Sequence, residues 1–175
     1  MIAPPSLVKE MYFMKTKPWQ IVALSTLCFI QAVHLLSVVA SKVAVKSNPA
    51  AVEAQAELGL ASGGGASDVE AVYEHLGTSQ FVWSLLAVVT FMFGFLLYRG
   101  EFLPAIRLTG SIFFAVGIVG QIANRIPRAT AIDTVLNETT AQLLTLGLTA
   151  LLFAGFISLF FGKSAQWVKE HPEGT

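Results

Sequence analysis

Four stretches of this 175-residue chain are apolar over lengths that approach the thickness of a lipid bilayer. Crossing about 30 Å of hydrocarbon takes roughly 20 residues of α-helix, and the stretches lack the alternating polarity of membrane β-strands. Charged residues make up 13% of the chain, against about 25% in soluble domains. The sequence therefore predicts an all-α fold, an integral membrane four-helix bundle. The predicted spans are residues 19–45, 81–98, 104–126 and 141–161.

Basic residues beside these spans predict the orientation of the chain. Seven of the eleven lysines and arginines lie on the side of the two termini and four on the opposite side. Because loops rich in lysine and arginine remain in the cytoplasm, we expect a multi-pass protein of the cell inner membrane with both termini cytoplasmic. Residues 1–18 and 162–175 are then cytoplasmic tails, residues 19–161 form the membrane domain, and residues 47–80 form a long external loop.

Two further structural questions concern whether the first span is cleaved as a signal peptide and whether the external loop contains helices. Val38-Val39-Ala40 resembles a signal-peptide cleavage site, but the apolar core exceeds the roughly 7–15 residues of a signal peptide, which favours an uncleaved anchor. In the external loop we expect one or two short helices. One is Ala50–Leu60, and the other is Val69–Leu76, capped by Ser67 or Asp68 and ended by Gly77.

Net charge and cysteine content exclude several classes of protein. The formal net charge is zero, whereas nucleic-acid binding requires a surplus of basic residues. We therefore expect no nucleic-acid partner. The single cysteine, Cys28, excludes an internal disulfide and a paired-cysteine redox motif. No metal site is predicted, because no cluster of suitable ligands appears at the required spacing.

Polar residues inside the apolar spans are the candidate functional residues, because polar groups are costly in a bilayer. Cys28, Gln31 and His34 share one face of the first span, and polar residues gather at the external end of the third. Gly147, Ala150 and Ala154 form a small-residue face on the fourth span, suited to close helix packing. We predict a polar ligand-binding pocket in the external half of the bundle. Its candidate residues are Gln31, His34, Gln121, Asn124, Arg125 and Glu138.

The chemistry of this pocket has more than one interpretation. In one interpretation, Gln31 and His34 serve simply to hydrogen-bond across helices, and such bonds contribute about 0.6 kcal/mol each on average. Haem binding usually requires two axial ligands, and His34 has no histidine partner within the spans. Arg125 can bind a ligand or form an ion pair with Glu138. No nucleophile and base are spaced as a catalytic pair, so no catalytic residue is assigned.

The layout of the chain from residue 58 to residue 161 resembles that of a known group of proteins. An acidic and aromatic run at residues 69–73 leads into an apolar span, a tight basic turn joins Arg99 to Arg107, and Asn124-Arg125 ends the third span. This pattern is similar to small bacterial four-helix membrane proteins of unknown function with DoxX-like architecture. The resemblance implies a compact four-helix bundle and supplies no catalytic residue.

These features favour a non-enzymatic protein with four membrane spans. It is expected to bind lipid or another small ligand, or to act as an accessory subunit of a larger membrane complex. Membrane lipids are the expected partners, together with such a complex or further copies of the chain. The alternative is a membrane enzyme or a quinone- or haem-linked redox subunit with a polar pocket around His34. The sequence identifies no cofactor.

Overall fold

The computed structural model describes residues 17–61, 69–123 and 136–170, and the regular structure in these segments is entirely α-helical. The predicted all-α class is therefore confirmed. The six helices of the described segments are α1 (Trp19–Lys46), α2 (Pro49–Ala61), α3 (Val69–Arg99), α4 (Leu103–Ala123), α5 (Leu136–Ser158) and α6 (Gly162–Glu170).

Three of these helices are individually long and apolar enough to cross a membrane, namely α1, α3 and α4. Residues Leu143–Ser158 of α5 and helix α6 meet at an angle of 66° and together provide a fourth candidate span. These helices indicate a small multi-pass membrane protein. At 1.5 Å per residue, α1 and α3 are each longer than about 30 Å of hydrocarbon requires, so both extend beyond it.

Helix α3 is longer than the sequence predicts. We expected a short helix to end at Gly77 and a separate span to begin at Phe81, but α3 continues without interruption from Val69 to Arg99. A glycine ends a helix when it adopts a positive φ angle, and Gly77 is not among the positive-φ residues of the structure. Val72 and Leu76 are buried, and these contacts stabilise the extra turns.

The extra turns of α3 form a small apolar cluster with α2. Val52 and Ala56 of α2 pack against Val72 and Leu76 of α3, and Val45 at the end of α1 completes the cluster. Helix α2 begins at Pro49 because proline suits the first helical turn, where no N–H is needed. This proline also disfavours helical geometry at the preceding residue, which separates α2 from α1.

A tight turn joins α3 to α4. Gly100 has a φ angle of 79°, and its N–H donates to the Leu97 carbonyl over 3.2 Å. The Glu101 N–H donates to the Leu96 carbonyl over 3.1 Å, which completes a Schellman motif. The Arg99 and Glu101 side chains form an ion pair at 2.8 Å. The turn therefore reverses the chain, and α4 runs back beside α3.

The main core lies between the long helices. Helix α1 packs extensively against α3 and also contacts α5, which in turn packs against α4. Four phenylalanines fill much of this core, with Phe114 stacked on Phe156 at 5.3 Å between ring centroids and Phe93 edge-on to Phe156 at 5.6 Å. Gly110 provides space for the Phe156 ring, because a Cβ atom there would lie 2.3 Å from it.

The face that α5 presents to its neighbours differs from the expected one. Gly147, Ala150 and Ala154 are exposed, and no atom lies within 4 Å of a Cβ atom built on Gly147. The predicted small-residue interface is therefore wrong. Larger side chains, including Leu152 and Phe156, form the buried face instead, and the small residue that makes room for them is Gly110 of α4, which lies against the Phe156 ring.

The predicted C-terminal tail begins with helix α6. Trp167 and Val168 of α6 are buried in the main core, and Gly162 adopts a φ angle of 60° at the bend before the helix. Lys17 lies at the same end, with its ammonium group 6.0 Å from the Trp167 ring centroid. The Lys17 amine donates to the Leu97 and Tyr98 carbonyls at the end of α3, where a cation is favoured by the helix dipole.

Candidate functional site

A partly open cleft of about 430 Å³ lies between α3 and α4, with α1 and α5 also contributing to its walls. It forms because α3 contacts α1 much more extensively than it contacts α4. Along α4 the cleft extends from Thr109 to Gln121, a rise of about 18 Å over twelve residues. Its volume falls within the range of about 300–1,000 Å³ that small-molecule sites occupy.

The walls of the cleft combine apolar and uncharged polar side chains. Trp83 and Leu86 of α3 face Ile112 and Phe113 of α4 across it. None of the described lining residues carries a formal charge. The polar lining residues are Gln31, Trp83, Thr90, Thr109, Gln121, Thr145 and Thr149.

Helix α5 contributes two threonines that connect the polar groups. Thr149 Oγ1 accepts a hydrogen bond from Gln121 Nε2 over 3.1 Å and donates one to the Thr145 carbonyl over 2.6 Å. Thr145 Oγ1 lies 2.8 Å from His34 Nε2. This network joins α1, α4 and α5. It fixes His34 and Gln121 through hydrogen bonds.

Gln31 contributes a buried side-chain oxygen that has no hydrogen-bond partner among the described residues. The residue is 2% exposed, and Gln31 Oε1 is buried without a hydrogen bond among the described residues. An unsatisfied buried acceptor costs about 1–3 kcal/mol. Gln31 is twelve residues beyond Trp19, or about 18 Å along α1, so the amide lies near the middle of the predicted span.

The structure brings together part of the predicted pocket. Gln31 and Gln121 both line the cleft, and His34 lies behind its wall through the bond to Thr145. Asn124 and Arg125 lie outside the described residues. Glu138 belongs to α5, but its side chain is also outside the described part of the structure.

Sequence reasoning missed Thr145 and Thr149, which line the cleft and are almost fully buried. Threonine is common in apolar helices and satisfies its hydroxyl with its own backbone, as Thr149 does, so each residue alone gives a weak signal. Their spacing of four places them on one helix face. The same face continues to Leu152 and Phe156 of the core, and this periodicity was the available signal.

Chemically, the cleft suits binding more than proton transfer or metal chemistry. Its described lining offers hydroxyl, indole and carboxamide groups, which donate and accept hydrogen bonds without changing charge near neutral pH. Within the described segments, no three histidine, cysteine, aspartate or glutamate side chains lie close enough together to hold a metal ion.

The chain was compared with three sets of known proteins. Neither the protein-family models, nor the curated proteins, nor the solved structures give a match to the chain.

Proposed function

We propose that this protein is a non-enzymatic membrane protein that binds a lipid-like small molecule in the cleft between α3 and α4. The observation that carries the proposal is the cleft itself, about 430 Å³ in volume, with long apolar walls and uncharged polar groups among them. An apolar chain fits between Ile112 and Leu86, while a small polar group meets the amide and hydroxyl groups.

The proposal includes the arrangement of the chain in the membrane. It has four spans in a bundle of α1, α3, α4 and α5, with both termini in the cytoplasm of a bacterial-type cell. Two observations support it: α1, α3 and α4 are long and apolar enough to cross a membrane, as is the bent pair of α5 and α6, and Lys17 lies beside Trp167 at one end of the molecule. Ligands then enter laterally from the bilayer, and membrane lipids are the immediate partners. The DoxX-like layout remains part of this proposal.

Two glycines of α4 provide a matched test of binding in the cleft. Gly117 lines the cleft, and a Cβ atom there makes only an ordinary 3.5 Å contact with Thr149. Gly120 lies one turn away, is exposed, and has no atom within 4 Å of the same position. Leucine at 117 therefore enters the cleft, whereas leucine at 120 faces outward, and both changes remove a helical glycine.

The measurement is native mass spectrometry after extraction in a mild detergent. We expect the wild type and Gly120→Leu to carry a small-molecule adduct on the 18.8 kDa chain, and Gly117→Leu to lose it. Retention of the adduct by Gly117→Leu would place the binding site elsewhere. A wild-type protein that carries no adduct and copurifies with other polypeptides would contradict the proposal and favour an accessory subunit of a larger complex.

A further inference from the structure

We infer that the cleft selects an uncharged amphiphile whose polar group is a hydroxyl, such as a long-chain or isoprenoid alcohol. This inference rests on the proposed function and specifies the ligand class. It starts from Gln31, whose carboxamide lies in the wall of the cleft with its oxygen buried and without a partner among the described residues.

The chemistry of the amide defines what the ligand must supply. A carboxamide oxygen accepts hydrogen bonds and the amide nitrogen donates them, so an unsatisfied oxygen requires a donor. The last torsion of glutamine is broad, and rotation about it turns the amide towards the cleft. A hydroxyl can donate to the oxygen and also accept from the nitrogen, whereas a ketone, an ether or an ester can only accept.

Among the described residues, no hydrogen-bond donor reaches Gln31 Oε1. His34 Nε2 and Gln121 Nε2 are both engaged by threonine hydroxyls of α5, at 2.8 Å and 3.1 Å. The described lining has no cationic side chain to neutralise a phosphate or carboxylate, and a charge without a counter-charge is costly at this depth. A neutral alcohol satisfies the amide without introducing a charge.

The shape of the cleft agrees with this class of ligand. The apolar part of the walls is formed by leucine, isoleucine, valine and aromatic side chains, including Leu35, Ile112 and Phe113. These groups provide van der Waals contact for a hydrocarbon or isoprenoid tail. A tail that enters from the bilayer is already in an apolar medium, so the hydrogen bond to Gln31 supplies the selectivity for the alcohol.

Trp83 provides a direct readout because its indole lines the cleft. The other two tryptophans are replaced by phenylalanine, and binding of farnesol and of farnesyl methyl ether is followed by Trp83 fluorescence in detergent micelles. The two probes share one tail, and the ether carries a methyl group in place of the hydroxyl hydrogen, so it cannot donate a hydrogen bond. We expect farnesol to bind about tenfold more tightly than the ether, the effect of one buried hydrogen bond.

The control variant is Gln31→Leu, which preserves the approximate volume and removes the amide. It is expected to bind the two probes equally, and circular dichroism and thermal unfolding report separately that it folds. Equal binding of alcohol and ether by the wild type would refute the hydroxyl inference while leaving ligand binding intact. Tighter binding of farnesyl phosphate than of farnesol would also refute it. Binding of none of the three probes would refute the inferred ligand class, whereas the proposed function itself is contradicted by a wild-type protein that carries no small-molecule adduct.

Discussion

Gln31 is a residue whose position reduces the stability of the empty protein. Its buried oxygen has no hydrogen-bond partner among the described residues, and such an atom costs about 1–3 kcal/mol. Binding sites commonly retain destabilising groups because they meet a partner only when ligand is bound. The sequence shows that Gln31 is polar within an apolar span, but whether another helix satisfies the amide depends on side-chain positions that no local pattern specifies.

We predict that Gln31→Leu stabilises the ligand-free protein. Replacing the amide with an apolar side chain removes the unsatisfied oxygen and adds apolar contact, so the free energy of unfolding should rise by about 1 kcal/mol. The measurement is unfolding in detergent with and without ligand. For comparison, His34→Ala removes an existing bond to Thr145 and should lower the stability. A loss of stability in Gln31→Leu would mean that the amide has a partner.

Lys17 has a lowered pKa because its amine is partly buried at the end of α3. Burial lowers the pKa from 10.5 to about 8, since desolvation disfavours the charged form. At a pH between these two pKa values, the Lys17 amine is protonated in the unfolded chain and largely deprotonated in the folded one. This group therefore makes the folded state more favourable as pH rises through that interval.

We predict that the rate of acylation of the Lys17 amine in the folded protein rises with pH and reaches half of its maximum near pH 8. The amine reacts only when deprotonated, so mass spectrometry of the Lys17 peptide after brief acylation at a series of pH values gives this midpoint. The same peptide in denatured protein should give a midpoint near the ordinary value of 10.5. Identical midpoints in the two states would show that the amine is not buried.

At the scale of helices, the apolar spans could be located from the sequence because a run of about 20 apolar residues has few alternatives. The exact ends could not be predicted, because tertiary contacts decide them. Gly77 has the sequence signature of a helix end, yet the cluster of α2 and α3 keeps it helical. Helix α6 lies in the stretch predicted to be a tail, because that stretch follows the last apolar span. Nine residues are too few to form a stable helix alone, but burial of Trp167 and Val168 stabilises this one.

Substitutions at Gly77 test whether α3 is continuous. Proline within a helix costs about 3 kcal/mol or more, so Gly77→Pro should strongly destabilise the protein. Gly77→Ala should be tolerated, with a gain of up to about 1 kcal/mol from helix propensity, because the atom near its Cβ is the mobile Lys46 Nζ at 3.2 Å. Both are measured by unfolding in detergent. If proline were tolerated as well as alanine, the helix would end at Gly77 as the sequence suggested.

At the scale of the whole molecule, the cleft depends on how the long helices meet. Helices α3 and α4 are adjacent in sequence and joined by a tight turn, yet their mutual contact is limited because α3 packs mainly along α1. One contact between the two helices is made by the Phe93 and Phe113 rings, whose centroids are 5.5 Å apart. Farther from the turn, Trp83 and Gln121 line the opening. This separation follows from tertiary packing, so the sequence could suggest polar pocket residues but not a cleft.

The number and direction of the membrane crossings can be tested with two single cysteines. Ser47, at the end of α1, and Lys163, in α6, are both exposed, whereas the native Cys28 is 0% exposed and should not react. Crossings by α3, α4 and α5 place the two positions on opposite sides of the membrane. With both termini in the cytoplasm, a membrane-impermeant maleimide should label Ser47→Cys in intact cells and Lys163→Cys only after the membrane is opened. The reverse pattern would invert the orientation, and labelling of both positions in intact cells would mean that an even number of spans separates them.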